Sequence, residues 1–70
     1  MKRRELIKRI SRAAKSSDLS WDLAREGAEH TLYRLGSKPV VIPRHNEINE
    51  VTAQAIMKDL EANLGKGWWR

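Results

Sequence analysis

The residues best suited to chemistry lie together in Arg25-Glu26-Gly27-Ala28-Glu29-His30-Thr31-Leu32-Tyr33-Arg34. Histidine is the side chain that gives or takes a proton near neutral pH. Arginine grips phosphate through paired N–H donors. A proton shuttle flanked by two phosphate binders points to phosphodiester chemistry on RNA. RNA carries its own nucleophile, the 2′-hydroxyl beside the scissile phosphate. An enzyme that uses it needs no covalent side chain and no metal. It needs a group to move a proton, cations for the charge that develops on phosphorus, and alignment for in-line attack. His30 supplies the first, and Arg25, Arg34 or Arg44 the second. A single positioned acid or base contributes roughly 10²–10⁴-fold. The plainer alternative is a hairpin with a surface histidine.

These residues must be held by a small frame. The chain has 70 residues, which is enough for one domain with a modest core. Fourteen Lys and Arg against nine Asp and Glu give a net charge of +5. That balance favours a polyanion or an acidic protein as partner. There is no cysteine, so no disulfide or thiolate metal site staples the fold, consistent with a cytoplasmic protein. No apolar run is long enough to span a membrane, and no hydrophobic signal core follows Met1-Lys2-Arg3-Arg4.

Helical spacing of Leu6, Ile7, Ile10, Ala13 and Ala14 predicts a helix from about Lys2 to Ala14 with a basic outer face. Lys15 to Ser20 is a polar break. Trp21 and Leu23 alternate with polar or small residues and predict a first strand, with Trp21 in the core. Glu26 to Glu29 is a turn, in which Gly27 is free to take a positive φ. His30 to Leu35 is the second strand. Its more apolar set, Thr31, Tyr33 and Leu35, faces the core, which leaves His30, Leu32 and Arg34 on the open face. Gly36-Ser37-Lys38 turns the chain into a third strand, Pro39 to Pro43. Arg44 to Ile48 is a loop. Asn49 caps a last helix from about Glu50 to Leu64, which buries Ala53, Ile56, Met57, Leu60 and Leu64 and stops at Gly65.

Three strands joined by short turns form an antiparallel meander, covered on one face by both helices. The expected architecture is an α+β, α-β-β-β-α two-layer sandwich, the layout of double-stranded-RNA-binding domains. Residues 1–64 form the domain and residues 65–70 a tryptophan-containing tail. Trp68 and Trp69 could stack on bases or anchor a partner; folding back on the chain's own helices is the simplest arrangement for two indoles. Lys2, Arg3 and Arg4 are expected to contact phosphate. Two histidines without a carboxylate pattern make a poor metal site, and none is expected.

Several stretches, taken in order, resemble HicA toxins, the small mRNA-cleaving proteins of bacterial toxin–antitoxin pairs. They are Lys2-Arg3-Arg4-Glu5-Leu6-Ile7, Arg25-Glu26-Gly27 with His30 and Leu32-Tyr33-Arg34, Val41-Ile42-Pro43-Arg44-His45 with Glu47-Ile48, and Thr52-Ala53-Gln54-Ala55-Ile56-Met57-Lys58. The resemblance implies an endoribonuclease whose catalytic histidine is His30. It implies no cofactor, mRNA as substrate and a cognate HicB-like antitoxin as partner. It puts the family's turn glycine on Gly27 and its Pro-x-His segment on Pro43, Arg44 and His45. Arg25, Gly27, Arg34, Arg44 and His45 then join Lys2, Arg3 and Arg4 as RNA contacts. His45 is open between RNA contact, a second acid–base role and a loop cap. The chain departs from the pattern between Ala14 and Ser20, which is long and lacks a glycine, at Val51-Thr52, and in its tail. A catalytically silent RNA-binding module of the same layout, or a small adaptor for an acidic protein, are the competing readings.

Overall fold

The computed structural model describes all 70 residues as α1 (Arg3–Ser16), β1 (Trp21–Glu26), β2 (His30–Leu35), β3 (Lys38–Pro43), α2 (Glu50–Asp59) and a short α3 (Glu61–Leu64). The strands form one antiparallel sheet in the order β1-β2-β3. No helix is long and apolar enough to cross a membrane.

One face of the sheet is covered. Leu6, Ile10 and Ala14 of α1 pack with Leu35, Val40 and Ile42 of the sheet and with Ile48, Ala53, Met57 and Leu60. Thr31 is the one polar residue buried among them. Trp21 is half-buried at the margin, stacked on Tyr33 with ring centroids 4.5 Å apart. The opposite face carries exposed His30, Arg34, Pro39 and Val41. The expected division of β2 into two faces is therefore the observed one.

Helix α1 runs two residues past Ala14. It closes where Leu19 N–H donates to the Ala14 carbonyl at 2.8 Å and Asp18 takes φ 58°. Asp18 thus occupies the left-handed region that glycine would otherwise serve, a conformation a short polar side chain tolerates. The expected single C-terminal helix is divided. Asn49 caps it as anticipated, accepting from Thr52 N–H at 2.8 Å. At Leu60 (φ −89°, ψ 0°) the regular pattern breaks. There the Met57 carbonyl accepts the Trp68 indole N–H at 2.7 Å, so the returning tail takes up a helical acceptor. Gly65, at φ 99°, ends α3. Both tail tryptophans fold back and are half-buried.

The chain start is tied to the loop after β3. Arg3 N–H donates to the Asn46 carbonyl, and Ile48 N–H to the Met1 carbonyl, both at 2.8 Å. The Met1 ammonium donates to the Ile48 carbonyl at 2.9 Å and lies 3.2 Å from Glu47 and 3.1 Å from Glu50. Its hydrogen bond to Glu50, opposed by partial desolvation and aided by Glu47, raises the pKa of this amine above 8.0. A raised folded-state pKa contributes stability that is complete below the unfolded value and lost as pH climbs through the folded one. Acetylating the Met1 amine should therefore lower the thermal midpoint near neutral pH, with the gap from the unmodified protein closing above pH 8.0. A gap that is absent, or that does not change with pH, would contradict the assignment.

Candidate active site

His30 opens β2 with its side chain exposed, because its neighbour Thr31 points into the core. Two grooves meet at it. One, of about 290 Å³, is lined by Arg25, Gly27, Ala28, Glu29, Leu32 and Val41 as well as His30. The other, of about 510 Å³, is lined by Ala28, Glu29, Pro43, Arg44 and His45 as well as His30. His30 is shared by both, with Arg25 lining one, Arg44 and His45 the other, and the carboxylate of Glu29 lining both.

Arg25 reaches this place through a β-bulge. Leu23 pairs with Tyr33, but Arg25 pairs with Leu32, so β1 advances two residues against one on β2. Side chains directly opposite each other share a face. Strict alternation would put Arg25 on the same face as Leu23 and Trp21, under the sheet. The extra residue, Ala24, moves it to the face of Leu32 and His30. The same step puts Glu26 opposite Thr31 on the covered face.

Glu26 is needed there. Thr31 Oγ1 donates to Glu26 Oε1 at 2.9 Å and accepts from Arg3 Nη2 at 2.9 Å. Arg3 Nε donates to the Pro43 carbonyl at 2.9 Å, and Pro43 is the register partner of His30. Arg3 is thus half-buried beneath the sheet as a cross-brace. Nε and Nη2 of its guanidinium are bound within the fold, while Arg3 also lines the groove of Lys2 and Arg4, where phosphate contact is expected. The signal for this network in the sequence is Thr31 itself, since a hydroxyl on a core-facing position must find partners.

The turn into β2 is fixed by close approach. Gly27 N–H donates to the His30 carbonyl at 2.9 Å, and a Cβ on Gly27 would lie 2.8 Å from that oxygen. Gly27 does not use a positive φ, contrary to expectation; its lack of a side chain is what the site requires. The Gly27 carbonyl accepts Arg44 Nη1 at 2.7 Å, and Arg44 N–H donates to the Glu29 carbonyl at 3.0 Å. Arg44 Nε lies 3.9 Å from Glu26 Oε1. Arg44 is therefore a strut of the turn as well as a cation of the groove. The pairing of residues 29 and 44 also carries His45 into the groove of His30.

The other expected contacts lie elsewhere. Arg34 shares the open face but stands four residues along β2, about 13 Å from His30, opposite Asp22 and Pro39. Lys2 and Arg4 are exposed and line a separate groove of about 340 Å³ with Arg3 and Asn46. No three His, Asp or Glu side chains converge as metal ligands would. No family model matches the chain, and neither curated proteins nor solved structures yield a match.

The brace can be tested by removing one hydroxyl. Thr31→Val keeps shape but leaves Arg3 Nη2 and Glu26 without their shared partner. It should cost about 1–3 kcal/mol of stability in urea unfolding, and Thr31→Ser should recover most of it. A valine variant as stable as the parent would show that the brace contributes nothing net.

Proposed function

We propose that this chain is a HicA-like endoribonuclease that cleaves mRNA without a metal, with His30 as its catalytic residue. The observation that carries the reading is the exposed His30 shared by two grooves, with Arg25 in one and Arg44 and His45 in the other. The ordered sequence resemblance puts the family's catalytic histidine on the same residue. The element order, with the helices packed on one face of a three-stranded meander, supports a double-stranded-RNA-binding-domain-like assignment for the fold.

A phosphodiester laid across His30 meets a guanidinium on either side. His30 takes the proton from the 2′-hydroxyl as that oxygen attacks phosphorus. Arg25 and Arg44 stabilise the charge gathering on the phosphoryl oxygens. The 5′-oxygen leaves with a proton from water or from His45, which lines the same groove. The products are a 2′,3′-cyclic phosphate and a free 5′-hydroxyl.

Three measurements test this together. His30→Ala should abolish RNA cleavage and growth arrest while the thermal midpoint stays within a few degrees, because the side chain is exposed. Cleavage should persist in excess EDTA. It should fail on a substrate whose reacting 2′-hydroxyl is methylated. An active His30→Ala protein would refute the assignment. Activity lost to chelator and restored by a divalent ion would refute the metal-free route. A variant that binds RNA as tightly as a parent that never cleaves would establish the silent binding module instead.

The reading includes a HicB-like antitoxin that silences the chain by covering the open sheet face. That face joins exposed Val41 and half-buried Leu32 to the cations Arg25 and Arg34. An acidic partner surface would compete with RNA for those cations. Arg25→Glu and Arg34→Glu should each weaken RNA binding and antitoxin binding together, by several-fold, at matched salt. If RNA affinity falls at both positions while antitoxin affinity is unchanged, inhibition acts from another surface.

A further inference from the structure

We propose that α1 and the C-terminal tail form a second RNA-binding surface, which takes a flanking single-stranded segment of the substrate and stacks one of its bases on Trp69. The proposal rests on RNA being the ligand, but not on His30 cutting it.

Arg4, Lys8, Arg12 and Lys15 are all exposed and recur at intervals of four, four and three residues. That spacing stacks them in one row along α1, about 6 Å apart at each four-residue step. Like charges at this spacing destabilise a helix. None of the four forms an ion pair; the one pair within the helix is Glu5 with Arg9, at 3.4 Å. A row of unneutralised cations is the complement of a nucleic acid backbone.

At Arg12 the row borders an aromatic groove. Arg9, Arg12, Ala13, Ser16, Trp68 and Trp69 line a space of about 300 Å³ against the last turns of α1. The two indoles differ in role. Trp68 is fixed by its bond to Met57 and braces the break between α2 and α3. Trp69 meets Trp68 edge-on at 5.8 Å, makes no hydrogen bond through its own indole and has the Arg70 guanidinium 5.7 Å from its ring. It is half-buried, packs against the hydrophobic core and lines a groove with a cationic rim. Aromatic rings beside a basic track are what single-stranded nucleic acid uses, because every base offers a face to stack. A duplex keeps those faces inside, so Trp69 selects single strands.

The start of the row lies near the candidate active site. His45 lines the groove of His30, its chain neighbour Asn46 lines the next groove with Arg4, and Arg4 begins the cationic row. A strand whose scissile phosphate sits at His30 can pass Asn46 and follow α1 to Trp69.

The test uses the full chain carrying His30→Ala and a labelled, fully 2′-O-methylated single-stranded oligoribonucleotide, so that binding is read without cleavage. Trp69→Leu should weaken binding about tenfold, and Trp69→Phe should restore most of it. Lys8→Gln with Arg12→Gln should flatten the dependence of log affinity on log salt by about 0.7 for each phosphate that is no longer neutralised. Both residues of the glutamine pair are exposed, so it decides the matter even if a tail variant unfolds. A blunt RNA duplex should bind without regard to residue 69. Affinity indifferent to Trp69→Leu, or a salt slope unchanged by the glutamine pair, would overturn the proposal. So would a poly-glutamate peptide that binds the same surface with equal affinity and equal dependence on Trp69. Loss of cleavage in His30→Ala is scored separately on the natural substrate, so either reading can fail alone.

Discussion

The buried hydroxyl of Thr31 is the joint on which this small molecule depends. It accepts from Arg3 and donates to Glu26, while Arg3 also holds the carbonyl of Pro43. One side chain of a few atoms therefore connects the start of α1, the end of β1, the start of β2 and the end of β3. These are the elements whose ends surround His30. The Arg3 guanidinium, drawn partly out of water, needs such a partner, because an unpaired polar group in low dielectric is costly. The site is thus held from beneath by polar contacts and left open above.

Charge is divided in the same way. Glu5, Glu26, Glu47, Glu50 and Asp59 all stand in ion pairs, and Glu61 accepts the backbone N–H of Gly67. Most of the acidic side chains serve the architecture. The excess of positive charge is consequently not spread evenly. It remains on residues that have no internal partner, among them Arg4, Lys8, Arg12, Arg25 and Arg34. This is a physical reason for the basic balance of the chain to be felt at its open face and along α1.

Much of this is legible from residue order. The limits of β2, its inward set of Thr31, Tyr33 and Leu35, the Asn49 cap and the Gly65 stop follow from local rules of pleat, capping and backbone freedom. What stays hidden depends on contacts between residues distant in sequence. Arg3 reads as one more cation of a basic terminus until residues 31 and 43 are seen beside it. The helix break at Leu60 has no breaker residue, because its partner, the Trp68 indole, arrives from the tail. The bulge at Ala24 leaves no glycine or proline as a sign, yet it decides which face receives Arg25. Gly27 is marked by the sequence as a turn residue, but the constraint on it is the approach of the His30 carbonyl.

The bulge has a further effect at the border of the sheet. A three-stranded sheet has two free edges, and an unprotected edge recruits strands from other molecules. On β1 the irregular step between Leu23 and Arg25 interrupts the row of backbone donors and acceptors that an incoming strand would have to match. On β3 Pro39 and Pro43 remove donors near both ends. Each flank is thereby poorly suited to templated strand addition, and the molecule is guarded against edge-to-edge aggregation.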